Sequence, residues 1–166
     1  GEEVRFRTAW DSTLWPLCIA DAKVDDEGYI ALLIQADEGS SLDELELDTL
    51  RVHLAGDAAT VATLYECMAV RLKDMTIADA SGTTIARLPA KQCQRVGFDA
   101  AHAVLPQAPG AHPAYGLLQE YFAFPAKFHF FDIHGLRAVK LSGRQFSLRL
   151  DVGAASRKLR LSLIHI

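Results

Sequence analysis

Hydrophobic and polar residues alternate along much of this chain, and the alternation predicts strands. Leu50, Val52 and Leu54 are separated by Arg51 and His53, the period of two that turns one face of a strand inward and the other to water. Phe146, Leu148, Leu150 and Val152 repeat the pattern against Ser147, Arg149 and Asp151. Residues 29–36 are a short continuous apolar run after the turn-forming Asp25-Asp26-Glu27-Gly28, which fits a buried strand. Residues 12–24 are rich in apolar side chains but hold Pro16, which cannot donate to a central ladder, so an edge or bent strand is expected there. Residues 75–80, 84–88, 94–98 and 128–133 read as further short strands, with Ser81-Gly82 as a hairpin turn between the first two.

Two segments follow a helical period instead. Asp57 is placed to cap a helix whose Val61, Leu64, Tyr65, Met68, Ala69 and Leu72 recur at three- and four-residue steps. Lys73-Asp74 ends it. Pro113 suits the first turn of a second, short helix in which Tyr115, Leu118, Tyr121 and Phe122 share a face, and Phe124-Pro125 stops it. Residues 100–113 hold three prolines and read as a loop, a place near 106–113 where the chain could divide. Many short strands with few helices between them predict a mainly β (α+β) fold of antiparallel, sandwich-like sheets carrying one or two short helices.

Composition narrows the function. Half of the 166 residues are apolar and 23% are charged, enough for a real core and too few charges for a disordered segment. The net charge of −4 and the absence of any Lys/Arg-rich run remove the electrostatic footprint of a nucleic-acid binder. Cys18, Cys67 and Cys93 are odd in number and far apart, which suits reduced core cysteines of a cytosolic protein better than a disulfide framework. No apolar run approaches the roughly 20 residues that span a bilayer, so no direct membrane insertion is expected. Gly1-Glu2-Glu3 does not begin a signal peptide. Residues 161–166, LSLIHI, match what a transposase sequencing adapter encodes in one frame, and are read as non-native, leaving residues 1–160 as an internal fragment. Native codons for these six residues in an independently sequenced copy would overturn that reading.

A search for chemistry finds no catalytic, metal or cofactor-binding constellation. His129 with His134, and His102 with His112, lack ligand spacing on a helix and have no nearby Cys, so they read as solvated or core-edge histidines. There is no nucleophile elbow and no glycine-rich phosphate loop, and the acidic stretches at 25–27 and 43–48 read as a turn and a solvated face. The unusual stretch is 113–136, PAYGLLQEYFAFPAKFHFFDIHGL, with seven of the chain's fourteen aromatics. Such rings supply core packing, and they are also enriched at interface hot spots. More weight falls on the core at each ring, with at least one expected at an interface. Glu120 among them needs a partner if buried, and Lys127 or a backbone N–H is the plain candidate.

The same stretch carries a resemblance. Residues 117–132, LLQEYFAFPAKFHFFD, resemble the signature of the TssF family (also VasA or ImpG) of type VI secretion, with Ala126 in place of an acidic residue and His129 of an often aliphatic one. Phe6-Arg7-Thr8 with Leu14-Trp15-Pro16-Leu17, and residues 50–57 with Leu64-Tyr65-Glu66, are similar to further family segments in the right order. The resemblance implies a middle fragment of a longer, structural, non-enzymatic baseplate wedge protein. It implies a cytoplasmic place in a Gram-negative bacterium and the partners TssG, TssE, TssK and the VgrG spike. It implies no cofactor. The residues of the signature and of a partner interface are then Tyr121, Phe122, Phe124, Pro125, Lys127, Phe128, Phe130 and Phe131, with Trp15 and Trp10 second. The alternative is a β-sandwich binding module with an aromatic ligand platform, which calls for a flat array of rings on one sheet face.

Overall fold

A computed structural model describes residues 12–25, 27–106, 110–153 and 164–165. The first strand, β1 (Leu17–Val24), begins just after Pro16 and runs antiparallel to β2 (Ile30–Ala36). β1 is an edge strand, as the proline suggests, and it carries a bulge: the register steps from Ile19↔Ile34 to Asp21↔Leu33. A bulge on an edge discourages a foreign strand from adding there. β3 (Leu50–Leu54) leads into helix α1 (Ala58–Glu66), and β4 (Asp74–Ala78) and β5 (Thr84–Pro89) form a hairpin. After β6 (Cys93–Arg95) come helix α2 (Pro113–Ala123), β7 (Phe130–Ile133), β8 (Gln145–Asp151) and β9 (Ile164–His165).

The strands make two antiparallel sheets, ordered β1-β2-β8-β4-β5 and β6-β7-β3-β9. Period-two burial explains how they share one core. In the first sheet Ile30 pairs with Leu150 and Leu150 with Met75, while Leu32 pairs with Leu148 and Leu148 with Ile77. All of these side chains face inward and are buried. In the second sheet Leu50 opposes Ile133 and Val52 opposes Phe131, again buried, and both sets belong to one apolar cluster. Each fully buried side chain of this kind contributes roughly 1.5–3 kcal/mol. The intervening residues face outward and pair with one another. Arg51 grips Asp132 through two bonds of 2.7 Å, and Arg149 reaches Asp25 and Glu27 while lying over the Tyr29 ring.

α1 starts where expected. The Asp57 carboxylate accepts the Ala59 and Thr60 N–H groups at 3.0 Å, satisfying two donors that have no partner within the helix. Val61, Leu64, Cys67 and Met68 are buried against the sheets. The helical coil widens at Cys67–Arg71 before β4 begins.

Three expectations need correction. Residues 94–98 do not form one strand: β6 stops at Arg95 because Gly97 takes a φ of +103°, a left-handed value. Phe128 is not in β7 but in a 3-10 turn, Pro125–His129, since Pro125 fixes the backbone and the turn swings Lys127 and Phe128 inward. Cys18 is exposed on β1, where alternation points it outward, whereas Cys67 is buried and Cys93 half-buried; all three are free thiols. Burial pushes the Cys93 thiol up to about 12, so it is not a reactive thiolate. Trp10 and Phe6-Arg7-Thr8 lie outside the described residues.

Candidate functional site

Helix α2 begins with Pro113 in its first turn, and the His112 Nδ1 accepts the Ala114 N–H at 3.2 Å. Its apolar residues recur with helical spacing, as the sequence predicts, yet they face solvent. Tyr115 is 66% exposed, Leu118 54%, Tyr121 56% and Phe122 77%, and Phe124 just beyond is 50% exposed. The buried residue of α2 is Glu120, at 2%. The helix is therefore inverted, with its charge inside and much of its apolar surface outside.

Glu120 is buried because it has partners on every side. One carboxylate oxygen accepts the backbone N–H groups of Val104 at 2.7 Å and Leu105 at 2.8 Å. The other is bonded to the Lys127 ammonium, which is itself 1% exposed and sits over the Phe128 ring. Burial pushes the Glu120 carboxyl up, but the Leu105 N–H, the Lys127 ammonium and the Val104 N–H together bring it below its ordinary value. Desolvating two charges costs several kcal/mol, so the pair adds little net stability. What it supplies is geometry, since one carboxylate ties the proline-rich strap at Val104-Leu105, helix α2 and the Pro125–His129 turn into one unit.

The strap is held from a second side. A Cβ at Gly97 would stand 2.8 Å from the Lys127 carbonyl oxygen, so glycine is required both for its φ and for this close approach. Phe98 packs on Phe128 with centroids 5.0 Å apart, and Tyr121 packs on Phe128 at 5.9 Å. Strap and helix enclose an open apolar groove of about 690 Å³ lined by Leu105, Pro106, Leu118 and Phe122.

The residues singled out in the sequence thus divide. Tyr121, Phe122, Phe124 and Pro125 are exposed together at the end of α2. Lys127, Phe128 and Phe131 are buried and support that face from beneath, because the 3-10 turn and β7 point them inward. Phe130 is half-buried, its ring 4.4 Å from that of His53. Trp15 is half-buried too, its indole N–H donating to the Thr49 carbonyl at 3.2 Å, so it tethers the start of β1 to the second sheet. Both expected partners of Glu120, Lys127 and backbone N–H, are present at once. Gly97-Phe98 and Leu105-Pro106 stand in the sequence as segments similar to the family's ahead of the aromatic run, but sequence reasoning gave Gly97 and the Val104-Leu105 strap no structural role, and the signal for the strap was slight: a Glu amid rings beside a proline-rich loop.

The histidines have local roles. The His134 Nδ1 meets the Thr49 hydroxyl at 2.9 Å, and His102 accepts the Gly97 N–H in a long bond of 3.4 Å. Among the described residues no group of three or more His, Cys, Asp or Glu side chains is arranged to hold a metal ion, and no described helix is long and apolar enough to cross a membrane. Among the described residues, the exposed rings of α2 do not form a flat platform. Tyr121 and Phe122 stand at 80° to each other, and they project from a helix and not from a sheet.

The model of the family described as "Type VI secretion system, TssF" matches residues 1–164. The chain belongs to the TssF family. The type VI secretion system component TssF1 of Pseudomonas aeruginosa is 30% identical over 172 residues, a match covering 93% of this chain and 28% of that protein. The chain therefore spans under a third of the length of this TssF relative. A chain in the cryo-electron microscopy structure of a TssK-TssF-TssG baseplate subcomplex has the same fold, with a TM-score of 0.71 at 23% identity, over 92% of this chain and 30% of that one.

Proposed function

We propose that this chain is a structural part of a type VI secretion baseplate wedge, acting by protein contact and not by catalysis. The observation that carries the reading is the inverted helix α2, with Leu118, Tyr121, Phe122 and Phe124 in solvent above a buried Glu120–Lys127 pair. A contiguous apolar patch of this kind marks a protein contact surface. Membership of the TssF family and the fold shared with a chain of a TssK-TssF-TssG subcomplex support the assembly in question. The partners on this reading are TssG and TssK, with TssE and the VgrG spike further along the wedge, and the place is the cytoplasmic side of the inner membrane of a Gram-negative cell. The rings of α2 form the contact, with Phe130 contributing from the start of β7.

The test uses the full-length protein co-expressed with its sister baseplate subunits. Leu118→Ala with Phe122→Ala, and separately Phe124→Ala or Phe130→Ala, should weaken co-purification of the sister subunits. Truncating a hot-spot ring costs about 2 kcal/mol or more, roughly thirtyfold in affinity. Undiminished co-purification by folded variants would count against the reading.

A further inference from the structure

A second groove takes Tyr121 from α2 and has neither Leu105 nor Pro106 in its lining. One wall is a face of α1 in which Ala58, Val61, Ala62 and Tyr65 follow one another at helical spacing. Tyr121, Pro125 and Phe128 line it as well, with His53 and His129, their rings stacked at 6.2 Å. Arg95 is also in the lining, its guanidinium over the Phe98 ring at 5.4 Å. The volume is about 1000 Å³, room for several side chains and not one.

The polar groups in this groove are of one kind. Among the described residues its lining holds Arg95 and two imidazoles, and no Asp or Glu. Burial lowers the His129 pKa, which keeps that ring neutral and compatible with apolar neighbours. Arg95 makes no ion pair among the described residues, although Asp99 shares a neighbouring depression with it. Small side chains at Ala58 and Ala62, one turn apart, let a second helix approach α1 closely, and the aromatic wall offers it rings to pack on.

We infer that this groove seats an amphipathic helix of a separate subunit, one that presents apolar side chains to α1 and Tyr121 and a carboxylate to Arg95. The inference rests on the baseplate reading above and adds the chemistry of one contact to it. Two of the chain's own segments fit less well. Residues 154–160 carry Arg157, Lys158 and Arg160 with no acid, the wrong sign for Arg95. Residues 12–15 come in beside Asp48, Thr49 and Arg51, at the far end of β3 from His53 and Leu54.

Photo-cross-linking decides the matter. A benzophenone amino acid replaces Ala62, which is exposed, in the full-length protein co-expressed with its sister subunits, and the linked peptide is identified by mass spectrometry. The expected product joins Ala62's position to a sister subunit's apolar segment containing Asp or Glu, and Arg95→Glu lowers its yield about tenfold through like-charge repulsion. If sister subunits co-purify but the link falls within the protein's own chain, is absent, or is unmoved by Arg95→Glu, the groove's assignment is overturned and the baseplate reading stands. If the unsubstituted protein brings down no sister subunit, the baseplate reading fails, and this inference with it.

Discussion

The sheets and helix α2 dispose of their side chains in opposite ways. In the sheets the alternating apolar residues of Leu50–Leu54 and Phe146–Val152 are inside, and Arg51, Asp132 and Arg149 face out and pair. In α2 the apolar residues are outside and a carboxylate is inside. The first arrangement is what a chain does to lower its own free energy. The second leaves apolar area in water and places a charge where desolvation opposes it, and it needs a cause beyond the chain's own stability. The comparison teaches that one kind of ring plays two roles here. Phe131 and Phe128 hold the domain together, while Tyr121, Phe122 and Phe124 wait for something else to cover them.

The widest gap should therefore open between two Phe→Ala changes a few residues apart. Phe131→Ala removes a fully buried ring that packs on Tyr65 at 5.3 Å, and should cost about 3–5 kcal/mol. Phe122→Ala, at 77% exposure, should stay within about 0.5 kcal/mol. Hydrogen exchange of the β7 amides in the full-length protein reads both, because it reports local opening in a large protein. Faster exchange in the Phe122 variant would place that ring in the core and erase the contrast.

Lys127→Met tests the inverted helix from its interior. It strands Glu120 as a buried charge without its cation, a loss of about 3–5 kcal/mol, and α2 and the Val104-Leu105 amides should exchange together. Acid should do the same to the unsubstituted protein. The folded Glu120 carboxyl lies below its ordinary value, so its contribution is complete above the ordinary carboxylate range, about pH 4, and is lost as pH falls through the lowered value. Protection of the Val104 and Leu105 amides should fall in that window in the unsubstituted protein, and Glu120→Gln should flatten the dependence. A strap whose protection ignores pH would mean that the carboxylate is not what holds it.

The two regions were not equally legible in the sequence. The period of two at Leu50–Leu54 and 146–152, the Asp57 cap and the Pro113 start are local signals, and each is found at its place. The α2 stripe was legible as a stripe, but periodicity does not say which way it faces, because a core face and a partner face have the same composition. Glu120 held the information. A lone carboxylate on the far side of the helix from Leu118 and Phe122 is ordinary if solvated, and only the fold brings Val104, Leu105 and Lys127 to it from 16, 15 and 7 residues away. Gly97 was silent for the same reason, since its constraint is a carbonyl 30 positions further along.

Gly97→Ala should have a smaller effect than the changes above, about 1–3 kcal/mol, from a side chain at φ +103° and a contact with the Lys127 carbonyl oxygen. Its consequence should be confined to the strap and the Pro125–His129 turn. Hydrogen exchange should quicken at residues 97–105 and leave β2, β4 and β8 unchanged. Loss of protection across both sheets would show that strap and sandwich are one cooperative unit, and not a rigid body carrying a separable face.

Trp15→Phe gives the smallest shift and tests where the first region ends. It keeps an aromatic ring against the core and deletes the bond from the indole N–H to the Thr49 carbonyl, worth about 0.5–1.5 kcal/mol. Thr49 precedes β3, so the loss should appear as faster exchange at the start of β1 and β3, with co-purification of sister subunits unaltered. If that single bond matters for assembly while leaving exchange untouched, Trp15 belongs with Phe122 and Phe124. The contact face would then extend round the Asp48–Arg51 side of the second sheet, and would not stop at helix α2.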